Sequence, residues 1–234
     1  MDFLITPLGW KNWLLLISAL INLVMAIFIF SRGVRKNKIN LYFSLLTFAC
    51  FLWGMSLFLA RTMWIEQWFF WASLAYPAAL LIAISLFYFT VYFPYKLKNF
   101  SLLTNCILIF PSIILSILVF IPKYFIVNAH HDFVYKEHTL YIFQPVYIVY
   151  AIYFILLVCF SLYFLFVKYQ NIDSRIKRNL LLLFFAILLG LIFGAYFDLF
   201  LCYFGNFHYV WLGPIFTFLM NCVVFYLVFF EKEK

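Results

Sequence analysis

Seven stretches of this chain, near residues 12–30, 41–60, 68–93, 102–121, 143–167, 179–200 and 211–230, are each long and apolar enough to cross a bilayer. A hydrocarbon core about 30 Å thick needs roughly 20 apolar residues in helical form. With 68% hydrophobic residues, only 10% charged ones and a mean hydropathy of +1.08, the chain supplies such runs back to back and leaves no room for a water-soluble enzyme domain. Only a helix closes its backbone hydrogen bonds within one segment in lipid, and the runs lack the alternation of barrel strands. The expected fold is an all-α membrane protein, a seven-transmembrane-helix bundle over residues 1–230, followed by a charged cytoplasmic tail at 231–234.

Lys and Arg near helix ends are held on the cytoplasmic side. The first, third and fifth connections carry Arg32, Arg35, Lys36 and Lys38, then Lys96 and Lys98, then Lys168, Arg175, Lys177 and Arg178; the tail adds Lys232 and Lys234. Those are twelve of the 16 basic residues, and the other face keeps Lys11, Arg61, Lys123 and Lys136. The N-terminus is therefore expected outside and the C-terminus in the cytoplasm. The net charge of +8 follows from this asymmetry and from attraction to anionic inner-leaflet lipid, with no call for nucleic acid. The opening MDFLITPLGW is nearly uncharged and the basic SRGVRKNK follows the first span, an order that fits a retained helix and not a cleaved signal peptide.

Trp64, Trp68 and Trp71 recur at i, i+4 and i+7 and are expected to anchor one helix face at the outer interface. The longest connection, after the fourth span, has alternating tracts around NAHHD and reads as a short extracellular β-hairpin over the outer mouth. His130, His131, Asp132, Glu137 and His138 in it lack the spacing of a metal site, so no metal is expected. Cys50, Cys106, Cys159, Cys202 and Cys222 lie one per apolar stretch, which suits packing residues better than disulfides. No phosphate loop, GxSxG, HExxH or catalytic triad occurs, and the last span has no lysine for a retinal Schiff base. No cofactor and no enzymatic activity are expected.

Polar residues within the spans need partners in the bundle interior. Ala186, Gly190, Gly194 and Asp198 follow one another at i+4, so the sixth span has a small-residue face ending in an acid; the bland reading is helix packing, the sharper one an acid at the mouth of a pocket. Ser18, Asn22 and Ala26 line one face of the first span and Gly213, Thr217 and Asn221 one face of the last. Asn22 and Asn221 lie at similar depths, roughly 15 Å in, and read as an interhelical polar contact. Pro77, Pro111 and Pro214 each remove a backbone donor and mark deformable points or static packing.

Certain segments occur in a telling order: FSLLTFACFLWGMSLFLA in span two, WASLAYPAALLIAISLFYFTVYFP in span three, the hairpin-like loop after span four, RIKRNLLLLFFAILLGLIFGAYFDLF in span six and GPIFTFLMNCVVFYLVFF in span seven. This order resembles the seven-helix N-terminal sensor region of bacterial histidine kinases, over essentially the whole chain. The resemblance implies a receptor whose last helix continues into a cytoplasmic signalling domain. Neither a PAS module, a phosphoacceptor helix nor an ATP-binding domain follows Phe230, so the resemblance implies either a stand-alone sensor that acts on a separate partner or a relic or regulatory fragment of such a receptor.

The leading reading is thus a multi-pass protein of the cytoplasmic membrane that takes a small or lipophilic ligand from outside, among Asp198, Tyr196, Tyr76 and Trp53. It would pass the signal to a separate kinase or other signalling protein. Asn22, Asn221, Thr217, Gly190 and Gly194 are the expected interhelical contacts. A small seven-helix transporter is the competing class, although spans one to three and five to seven show no convincing repeat; a scaffold that senses nothing is the third.

Overall fold

In lipid each apolar stretch has to satisfy its own backbone, and each does so as one helix. The structure, a computed structural model, describes residues 9–34, 37–62, 65–121, 124–132, 137–142, 144–172 and 174–229. The order is α1 (Trp10–Ser31), α2 (Lys38–Thr62), α3 (Ile65–Tyr92), α4 (Leu102–Val119), β1 (Ile126–Asp132), β2 (Glu137–Ile142), α5 (Gln144–Gln170), α6 (Ser174–Gly194), a π-helical segment (Ala195–Phe200), α7 (Leu201–Tyr203) and α8 (Leu212–Phe229). From Ile176 to Tyr203, α6, the π segment and α7 form one membrane-length rod. Seven helices are long and apolar enough to cross a membrane, and the chain is a multi-pass membrane protein. Several helices outrun the apolar stretches because polar ends such as Lys38 and Arg61 continue the helix where hydropathy falls.

β1 and β2 pair antiparallel, with His131 opposite His138 and an irregularity between Ile126 and Asn128. They join α4 to α5 at what is here called the hairpin end of the bundle; the opposite end carries the basic connections. Trp64 lies outside the described residues, while Trp71 meets the Phe70 ring edge-on at 5.1 Å.

α2 and α3 are central, with 61% and 67% of their most apolar windows buried against 17% for α4. Neighbour contacts run α1, α2, α3, α5, α6, α8 and back to α1, with α4 on the outside of α3. Phe43, Leu46, Phe89, Leu183 and Val224 fill the core of this ring. Val24, Ile107, Phe110 and Ile152 point outward, which carries no cost against acyl chains. Gly54 lets three helices meet: a Cβ there would lie 3.2 Å from Ala19 Cβ and 3.8 Å from Pro214 Cβ. Pro214 sits in the first turn of α8, where the missing N–H would have had no helical partner anyway.

Three tyrosines on one face of α5 tie the irregular points of its neighbours. Tyr147 Oη donates to the carbonyls of Asp198 (3.1 Å) and Leu199 (2.9 Å) in the π segment. Tyr150 Oη donates to Tyr76 O at 3.0 Å, beside Pro77. Tyr153 Oη reaches Leu108 O, three residues before Pro111, and its hydroxyl is 2.9 Å from that of Ser112. Neighbouring side chains are the usual remedy for backbone groups disturbed at such points in lipid.

Lys168 serves the opposite end. The sequence counted it among the basic residues of the fifth connection that set orientation; it lies in the last turn of α5 with no exposed surface. Its Nζ donates to the carbonyls of Thr90 (2.6 Å), Val91 (2.8 Å), Phe93 (2.6 Å) and Tyr95 (2.7 Å). The last carbonyls of a helix have no partner in the helix itself, and a cation is the favoured group at that end of the dipole. Lys168 is therefore a cap on α3 supplied by another helix.

Candidate functional site

Small residues on α3 and α6 keep those helices from filling the space between them. Ala72, Ala75 and Ala79 on one side and Gly190, Gly194 and Ala195 on the other line a cavity of about 130 Å³. That is roughly ten times the space one water needs. Leu57, Ile82, Phe154, Val158, Ile187 and Met220 make most of the wall apolar, and Phe207 and Val210 line it towards the hairpin end.

Trp53, Tyr76 and Asp198, three of the four expected ligand-contacting residues, line this one cavity. Trp53 comes from α2, Tyr76 from α3, and Asp198 from the π segment. An α-helix turns about 100° per residue, so each i+4 step overshoots by about 40°, and three steps would carry Asp198 about 120° from the Ala186 face. The π segment, with its i→i+5 bonds, has a wider turn that takes back part of this drift. Asp198 thereby rejoins Gly190 and Gly194 on the cavity wall.

The fourth expected residue, Tyr196, does not join them. Two positions from Asp198, it falls near the opposite side of the helix, 48% exposed, with its ring stacked on Phe200 at 5.8 Å. Tyr150 and Phe154 take the place expected of it on the cavity wall. The spacing of Tyr147, Tyr150 and Tyr153 at i, i+3 and i+6 was the signal that could have found this α5 face.

Asp198 is held from the α8 side by Gly213. A Cβ at Gly213 would lie 1.7 Å from Asp198 Oδ2 and 2.9 Å from Trp53 Cη2, so only glycine admits the carboxyl and the indole together against the first turn of α8. Both carboxyl oxygens are buried, and neither has a hydrogen-bond partner among the described residues. The other charged residue on the wall, Arg61, donates from Nε to Asn12 Oδ1 at 3.0 Å. Thr217, also on the wall, spends its hydroxyl on Pro214 O at 3.0 Å.

The segment between α7 and α8, which carries Phe207 and Val210, is built locally. Gly205, at φ +77°, ends α7 with Gly205 N donating to Cys202 O (3.0 Å) and Asn206 N to Leu201 O (2.9 Å). This is a Schellman cap, whose left-handed position suits glycine. Lys11 Nζ then reaches His208 Nε2 at 3.1 Å, and Trp10 meets Trp211 edge-on at 5.1 Å, fastening the segment to the start of α1.

Asn22 and Asn221 lie off the cavity wall, in the seam between α1 and α8. Asn221 Nδ2 donates to Asn22 Oδ1 at 2.8 Å, and Asn22 Nδ2 to Ser18 O at 2.9 Å. Such contacts contribute about 0.6 kcal/mol on average between membrane helices. Gly190 packs on Met220 Sδ, 3.6 Å from where its Cβ would stand, whereas Gly194 would have nothing within 4 Å. Among the described residues, no three His, Cys, Asp or Glu side chains come together as a metal site.

A pocket of apolar and aromatic side chains with one converging polar group is the common form of a small-molecule site. Comparison with curated proteins and with solved structures gives no match. The family model described as the N-terminal 7TM region of histidine kinase matches residues 14–232, from the first turns of α1 past the end of α8. The chain belongs to the family of N-terminal seven-transmembrane regions of histidine kinases.

Proposed function

We propose that this protein is a sensor of the cytoplasmic membrane that admits a small or lipophilic molecule into the cavity and reports its presence to a separate kinase or other signalling protein. One observation carries the reading: an acid whose buried carboxyl oxygens have no hydrogen-bond partner among the described residues stands on the wall of a mostly apolar cavity. Burying such a group costs free energy unless something pairs with it, and an occupant of the cavity does so. The surplus of Lys and Arg on the odd-numbered connections puts the hairpin end outside and the basic end in the cytoplasm, with the β1–β2 pair as a lid.

An occupant touches α6 and the π segment on one side and α8 on the other. It shifts the balance between two arrangements of these helices only as far as it binds them unequally. The π segment, pinned by Tyr147, is the natural place for that difference, since π turns are irregular and concentrate at functional sites.

In-cell crosslinking of the tagged protein, followed by mass spectrometry with an unrelated seven-helix protein as control, tests the relay. The expected result is specific recovery of a kinase, a response regulator or another signalling protein. Recovery of only the protein itself and general membrane proteins would overturn relay to a separate partner.

A further inference from the structure

We infer that the cavity's occupant is an amphiphile with a protonated amine head and an apolar, ring-sized body, an inference that rests on the cavity reading above. The polar groups on the wall are unequal. Tyr150 and Thr217 have committed their hydroxyl protons to Tyr76 O and Pro214 O, and Arg61 Nε donates to Asn12. Asp198 presents two buried oxygens with no hydrogen-bond partner among the described residues, and as the counterion of a bound cation both would accept. A carboxylate offers about four acceptor positions and an ammonium three donors. A hydroxyl head would bring a single donor and no countercharge.

The rest of the wall suits the same head. Trp53, Tyr76 and Phe154 stand around the space with Asp198, and aromatic faces attract a desolvated cation. A carboxylate head would meet Asp198 as a like charge, with only Arg61 of opposite sign at the wall. The apolar remainder of the occupant lies against Leu57, Ile82 and Val158. The small residues Ala75, Ala79 and Gly194 leave width for a ring there.

Three probes that share one body separate the head from the body: 2-phenylethylamine, 2-phenylethanol and 3-phenylpropionate. Binding of each to the detergent-solubilised protein is measured by thermal shift and intrinsic tryptophan fluorescence. The amine should bind about tenfold or more tighter than the alcohol, in keeping with a charge-assisted hydrogen bond, and the acid weakest of all. In Asp198→Asn, which keeps the side-chain size next to Gly213, the preference for amine over alcohol should disappear while alcohol binding persists. Equal binding of amine and alcohol to the wild type would overturn the amine assignment and leave the cavity reading standing. Failure of all three to bind would overturn both.

Discussion

Lys168→Met is expected to give a protein that folds poorly or not at all, with a loss of about 3 kcal/mol or more, since each buried acceptor left unpaired costs about 1–3 kcal/mol. Methionine matches the length and apolar character of the lysine stem, so packing changes little and the lost ammonium dominates. The carbonyls of Thr90, Phe93 and Tyr95 would lose the Lys168 donor, while Val91 O would keep the Leu97 backbone N–H at 3.1 Å. Lys168→Arg should rescue little, because the four oxygens converge on a single point and a guanidinium spreads its donors along a planar fork. Yield of folded protein and reversible unfolding in mixed micelles measure the effect. Wild-type unfolding in Lys168→Met would show that the cap holds nothing of consequence.

Gly213→Ala tests the site by the sign of its effect. In a helix the exchange ordinarily stabilises by about 1 kcal/mol through propensity alone. Here the new methyl would stand 1.7 Å from Asp198 Oδ2, 2.6 Å from its Cγ and 2.9 Å from Trp53 Cη2. Both cavity-lining side chains would have to move, and overpacking of this kind costs about 1–3 kcal/mol. The same unfolding assay should therefore report destabilisation, together with loss of 2-phenylethanol binding. Asp198→Ala/Gly213→Ala should regain part of the stability, because the two sites couple through one contact. Gly194→Ala, whose methyl meets nothing within 4 Å, should fold normally. Stabilisation by Gly213→Ala would contradict the close contact between α8 and the acid.

What the sequence disclosed and what it withheld divide along the range of the interactions. Helix number and placement are written locally, in runs of apolar residues long enough for a bilayer, and the structure has a helix at each. The convergence of Trp53, Tyr76 and Asp198 was legible because polar and amphipathic side chains within spans have few places to go but inward. Tyr196 failed by the same logic, since its neighbour Asp198 took the inward position and two adjacent-but-one residues cannot share it. The capping role of Lys168 was not legible because a basic residue near a helix end carries the same signature whether it meets lipid headgroups or another helix's carbonyls. The π segment has no simple residue code in AYFDLF. The contact of Gly213 with Asp198 is a matter of how two helices lean together, which no periodicity records.

The cavity as a binding site is tested most directly by crystals of the protein grown with 2-(4-bromophenyl)ethanol, a neutral probe whose bromine can be located by anomalous scattering. A bromine peak enclosed by Trp53, Tyr76 and Phe154, lost in Gly213→Ala, is the expected result. Bromine found solely on the lipid-facing surfaces of α1, α4 and α5, with nothing between α3 and α6, would contradict it.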